Sequence, residues 1–291
     1  MKLSGRYAVI TGANRGYGER IARAYLAEGA SVLLCARDRQ MLEKTRADLA
    51  SGAQPSQKVV AQPVDVTHEK DVDALVRRAL SEFPQVDILV NCAGVAGPRG
   101  PVGLDNWTEW KQTIDINLNG TVYACAAFLP HMKSRQYGKI INISGGGATK
   151  PLPHLSAYAA SKAGIVRFTE SMALEVKDDH IDVNAVAPGV LNTRIMDHFL
   201  EVEAKTIGQS YIEEAARQRA NGAPAFERAT ALCVYLASGE SDGITGRLIS
   251  ATWDPWQELH THRDELSSSD IYTIRRIVPE DRGRKWGRGK S

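Results

Sequence analysis

An apolar run, Tyr7-Ala-Val-Ile10, leads directly into Thr11-Gly-Ala-Asn-Arg-Gly-Tyr-Gly18, and beyond it Ile21, Ala22, Tyr25 and Leu26 recur at helical spacing. A strand that turns on glycines into a helix belongs to few architectures, because the helix must carry the chain back to start a parallel neighbour. Each glycine has its own part in such a turn. Gly12 permits the tight turn, Gly16 lets the backbone approach a pyrophosphate, and Gly18 lets the helix lie close on the sheet. The helix N-terminus then faces the phosphates, so the stretch predicts a dinucleotide site.

The same alternation runs on through the chain. Ser31–Cys35, Lys58–Ala61 and Val86–Val90 read as strands with helical patterns over about 38–50 and 69–83 between them, and Gly138–Ser144, Ile181–Val186 and Leu248–Ser250 read as later strands. Strand and helix in alternation predict an α/β, doubly wound parallel sheet of about seven strands in a single domain. At 291 residues and 43% hydrophobic, the chain suits one β/α domain with a tail and can fill a substantial core.

A formal net charge of +2 gives no global attraction to nucleic acid or acidic partners. No apolar stretch follows the charges of Met1-Lys-Leu-Ser-Gly-Arg6 and no run of eighteen apolar residues occurs, so neither export nor membrane spanning is expected. Cys35, Cys92, Cys125 and Cys233 lie far apart, without a Cys-x-x-Cys pair or a nearby histidine pattern. That predicts reduced cysteines in a cytoplasmic protein and no metal site.

Tyr158-Ala-Ala-Ser-Lys162 lies in a helical pattern, where a separation of four residues puts both polar heads on one face. A free phenol titrates near ~10, so bringing it to neutral pH takes about 4 kcal/mol of preferential stabilisation of the phenolate. One ammonium at ~4 Å, in an effective dielectric near ~20, contributes about that much. Tyr158 can then act as general acid or base. The alternative is a half-exposed tyrosine beside a solvated lysine.

Thr11–Gly18, Asn91-Cys-Ala-Gly94 and Tyr158–Lys162, in this order and at these separations, resemble the short-chain dehydrogenase/reductase family over roughly residues 3–252. The resemblance implies an NAD(P)-binding Rossmann fold and an oxidoreductase that interconverts a secondary alcohol and a ketone by hydride transfer. It assigns catalysis to Tyr158, Lys162 and Asn117, with Asn117 holding a water near Lys162. Cofactor contacts fall on Gly12, Asn14, Arg15, Gly16, Tyr17, Gly18, Arg37, Asp65, Val66, Asn91, Ala93, Gly94, Tyr158, Lys162, Pro188, Gly189 and Thr193, the last on the nicotinamide carboxamide. Residues 194–222 become helices that cover a small-molecule substrate, and the helices of Asn117 and Tyr158 imply a homodimer or homotetramer. At the end of the second strand, NAD-preferring members carry an aspartate; here Ala36 precedes Arg37, and Arg15 stands in the phosphate loop. Two guanidinium groups suit a 2′-phosphate, so NADP is expected over NAD.

One position departs from the family pattern. Counting thirteen residues back from Tyr158, where the family usually carries a serine that bonds the substrate oxygen, gives Gly145. Ser144 is one residue away, and strand alternation aims it to the other face unless Gly145-Gly-Gly147 bulges. The expectation is a gap over Gly145, which Gly145→Ser would fill, with His154 or Lys150 as alternative donors.

Residues 253–291 exceed the family's length. They read as an arm packed on the domain or a neighbour, its basic end disordered, with Trp253, Trp256 and Tyr272 available to line a substrate entrance. A second reading of the whole chain therefore stays open: a dinucleotide-binding protein with weak or no turnover that acts through partner contacts of this arm.

Overall fold

Four short runs, Tyr7–Thr11 (β1), Ser31–Ala36 (β2), Val59–Pro63 (β3) and Ile88–Asn91 (β4), form the first half of a parallel sheet. Every residue of β2 is buried, as expected of a strand covered on both faces. Gly138–Ile143 (β5), Ile181–Ala187 (β6) and Leu248–Ser250 (β7) complete seven strands in the order β3-β2-β1-β4-β5-β6-β7. The computed structural model describes residues 1–191, 213 and 222–286. The α/β, doubly wound, single-domain expectation holds.

Helices cover both faces because their apolar positions recur every three to four residues. In Gly16–Ala27 (α1) the buried residues include Ile21, Ala22, Tyr25 and Leu26; in Glu69–Glu82 (α3) they are Val72, Leu75 and Ala79. Arg39–Ser51 (α2) starts on Asp38, whose carboxylate accepts from Met41 N at 3.0 Å. Trp107–Ile114 (α4) runs through a widened π turn, Asp115–Asn119, into Gly120–Arg135 (α5), and Ser156–Glu175 (α6) follows β5. Gly222–Ala237 (α7) leads to β7. One core lies under α1 and α7, around Tyr25, Leu34 and Leu232; the other lies under α3, α5 and α6, around Leu75, Phe128 and Met172.

Two features of the topology position a site. Strand order reverses between β1 and β4, which leaves a crevice at their carboxyl ends. The registers Ile143↔Val186 and Val186↔Ile249 bring the carboxyl ends of β5, β6 and β7 level with one another.

Residues 253–286 pack back on the domain. A 3₁₀ segment, Trp256–Thr261, and a short helix, Arg263–Ser268 (α8), place Trp256, Leu259 and Leu266 in the core beneath α7. Trp256 meets the Tyr235 ring at 5.7 Å and Tyr272 lies against the same core, so of the three aromatic residues proposed for a substrate entrance only Trp253 stays largely exposed. Of the basic end read as disordered, Arg282 closes a 3₁₀ turn from Pro279, whereas residues 287–291 lie outside the described residues. Among the described residues no helix is long and apolar enough to cross a membrane, and no cluster of metal-ligating side chains occurs.

Candidate active site

The glycine turn has the geometry its spacing requires. Gly12 and Gly16 adopt φ of +66° and +62°, a region that favours glycine. Space forbids a side chain as well: a β-carbon on Gly12 would stand 2.8 Å from Ala93 Cα, and one on Gly18 would stand 2.5 Å from Gly12 O. Thr11, which opens the glycine motif but to which the sequence reading gives no role of its own, locks this turn to the segment after β4. Its Oγ1 accepts from both Cys92 N and Ala93 N at 3.0 Å.

A cleft of about 340 Å³ opens beside the turn, with Arg15 and Arg37 on one side and Gly94, Val95, Glu109 and Gln112 on the other. Arg37 is half exposed, and its Nη1 stands 3.9 Å from Asp65 Oδ2. That distance and exposure make a loose, screened ion pair. Asp65 Oδ1 accepts from Thr67 N and Thr67 Oγ1, so this aspartate caps a turn. Burial pushes its carboxyl up, but the Thr67 hydrogen bonds and the Arg37 charge prevail and the net shift is downward. Glu109 and Gln112, on α4, are cleft residues that the sequence reading missed. Their pattern is that of any amphipathic helix.

Some of the residues assigned to the cofactor turn elsewhere. The Tyr17 ring is buried, with its hydroxyl donating to Ala229 O at 2.8 Å, so the side chain belongs to the core and only its main chain is left for a nucleotide. Asn14 O accepts from Thr45 Oγ1, and Asn91 Nδ2 donates to Asn142 Oδ1 at 2.9 Å between β4 and β5. Val66 is buried. Pro188 and Gly189 follow β6 at the same edge as Gly145, whereas Thr193 and most of 194–222 lie outside the described residues.

Tyr158 and Lys162 share one face of α6, and both are buried. Lys162 Nζ lies 5.7 Å from the Tyr158 ring centroid and donates to Ile143 O at 2.8 Å. Burial lowers the lysine to about 8. Asn117 sits in the π turn. Its Oδ1 accepts from Val95 N at 2.8 Å, and its Nδ2 donates to Val95 O and Ser161 Oγ, each at 3.0 Å. A β-carbon on Gly94 would lie 3.3 Å from Asn117 Oδ1 and 3.8 Å from Lys162 Nζ, so the structure brings these three residues together.

Ser144 is 2% exposed, and its hydroxyl donates to Lys162 O at 3.1 Å. It braces the helix that carries Tyr158 instead of facing the cleft. The expected gap over Gly145 is not open. A β-carbon at 145 would stand 2.9 Å from the Tyr158 hydroxyl oxygen, so the tyrosine fills that space and Gly145→Ser would displace it. Of the alternative donors, Lys150 is exposed, while His154 holds φ of +65° with its Nδ1 buried and without a hydrogen-bond partner.

The sequence profile described as short chain dehydrogenase matches residues 6–204. The chain belongs to this family. A 3beta-hydroxysteroid dehydrogenase of Eggerthella lenta is 36% identical over 248 residues, covering 84% of this chain and 91% of that protein. Among solved structures, levodione reductase superposes with a TM-score of 0.76 at 26% identity, over 88% of this chain and 99% of its own. NAD⁺-bound xylitol dehydrogenase superposes with a TM-score of 0.77 at 26% identity, over 86% and 98%. The chain is thus an oxidoreductase of the short-chain dehydrogenase family, which binds nicotinamide dinucleotides. The glycine cradle, where a side chain has no room, and the crevice at the β1/β4 reversal suit such a group.

Proposed function

We propose that the chain interconverts a secondary alcohol and a ketone with NADP(H), using Tyr158 as general acid and base. The observation that carries this reading is the Tyr158 hydroxyl meeting the β5 end at Gly145 while the buried Lys162 ammonium lies beneath its ring. The nicotinamide, when bound, supplies or accepts the hydride. Gly12, Gly16 and Gly18 would cradle the pyrophosphate, Gly94 and the Pro188-Gly189 turn would border the ring, and Lys162 would hold the ribose and the phenolate charge. Tyr158 gives its proton to the carbonyl oxygen in reduction and takes it back in oxidation. Asn117 fixes the Val95 loop against α6, and in this reading a water near Lys162 would reprotonate Tyr158.

Coenzyme choice rests on Arg15 and Arg37 lining one cleft, with Ala36 where an acidic residue would repel a 2′-phosphate. The free, buried Cys35, Cys125 and Cys233 suit a reducing cytoplasmic setting. The second reading, a dinucleotide-binding protein with little turnover, is favoured by the glycine at 145.

One set of measurements separates the two readings. Calorimetry with both reduced cofactors should give tighter binding of NADPH, and a screen of ketones should give turnover that Tyr158→Phe lowers by about 10²–10⁴-fold without loosening the cofactor. Turnover unaffected by Tyr158→Phe defeats the acid–base assignment; equal affinity for the two cofactors defeats the arginine argument.

A further inference from the structure

The chain continues beyond β7, which ends at Ser250, into a segment that packs on the domain through Trp256, Leu259 and Leu266. It lies where a parallel sheet is most exposed. Among the described residues β7 is the terminal strand, and no strand lies beside its outer row of backbone N–H groups. Such a row is a template for another chain. Here both outer donors are taken by the chain itself: Leu248 N donates to Tyr272 O at 2.8 Å, and Ser250 N donates to Asp254 Oδ2 at 2.7 Å.

The returning segment is latched on both sides of Tyr272. Arg247, 8% exposed, donates from Nη1 to Ser269 O at 3.0 Å and Ile271 O at 2.8 Å, and from Nη2 to Leu266 O. On the far side, Glu170 Oε1 accepts from Ile274 N at 2.6 Å and Arg167 donates to Ile274 O. Tyr272 itself holds φ of +61°, a conformation costly for a tyrosine that these latches impose. Two nearly buried charges, Arg247 and Glu170, are spent on the backbone of a surface segment. General packing needs no such arrangement; holding a carbonyl in line with a strand edge does.

We propose that residues 254–274 form an intramolecular edge cap that denies β7 to a second copy of this chain. Without it, two β7 edges pair antiparallel about a twofold axis, the closed arrangement open to an edge strand meeting its own copy. The cap leaves association through the helical faces untouched.

The test compares the full chain with a chain that ends at Ser268 and carries Asp254→Ala, which frees both outer donors of β7 and keeps Trp256, Leu259 and Leu266, by light scattering and amide exchange. The full chain should hold one mass across concentration, with the Leu248 amide protected. The shortened chain should double that mass, and a peptide of residues 269–286 added in excess should restore the original mass. Should shortening impair folding, Ile274→Pro in the full chain removes the N–H that Glu170 holds and serves as the second variant. A Leu248 amide that exchanges in the full chain as fast as in an unfolded peptide overturns the cap, as does an opened edge whose mass never rises.

Discussion

Burial of Lys162 gives the site its expected pH dependence. A folded-state value of about 8, against the ordinary 10.5, means that between these values the unfolded chain holds a proton that the folded chain has released. Stability therefore rises with pH across that window, and the buried ammonium is destabilising below it. The proposed chemistry needs the protonated form. Reductive kcat/KM should accordingly fall as pH rises through about 8, and a profile flat to pH 10 would remove the ammonium from the mechanism. Gly145 makes a second prediction at this scale. Its φ of 171° is extended backbone that any residue adopts, so space alone decides what fits there, and a β-carbon 2.9 Å from the Tyr158 hydroxyl leaves none. Gly145→Ser should keep the fold but lower kcat by roughly 10²-fold, since displacing a reacting group by about 1 Å costs that much; a kcat at or above wild type would show that the tyrosine adapts.

Among the elements, the π turn Asp115–Asn119 organises the site. It inserts one extra residue per turn between α4 and α5, which swings the Asn117 amide across to Val95 and Ser161. α4, α6 and the loop after β4 are joined through this one side chain, helped by Trp110 Nε1 donating to Ser156 Oγ at 3.1 Å. Asn117→Ala leaves the Val95 N–H and carbonyl unsatisfied near the core and should cost about 2–4 kcal/mol in urea unfolding. A loss under about 1 kcal/mol would mean that this loop finds other partners.

For the molecule as a whole, the proposed acid and the proposed cap use opposite ends of the same helix. α6 carries Tyr158 and Lys162 near its start and Arg167 and Glu170 towards its end, so the residues that latch the extension rest on the element that holds the acid. Arg247 completes the connection from β7, with burial lowering its guanidinium from the usual value and Glu170 opposing that shift. The dinucleotide crevice, by contrast, lies at the β1/β4 reversal, several strands from β7. Opening the cap should therefore change association without changing cofactor affinity.

The alternation of strand and helix, the glycine turn and the pairing of Tyr158 with Lys162 were legible in the sequence, because each is a matter of period or of local steric need. Gly12 and Gly18 are glycines on local grounds, the first for its φ of +66° and the second because Gly12 O within the turn leaves no room for a side chain. Strand alternation likewise accounts for Ser144 facing away from the cleft. What Ser144 bonds, and that the Tyr158 hydroxyl closes over Gly145, depended on how α6 settles on β5, through contacts between residues 13 to 18 positions apart. The same holds for Thr11 bonding residues 81 and 82 positions on, for the core position of Tyr17, and for Glu170 gripping Ile274 104 positions away. No periodicity encodes such pairs. Hydrogen bonds and burial between distant segments follow from packing, and only the folded chain decides which polar groups finish side by side.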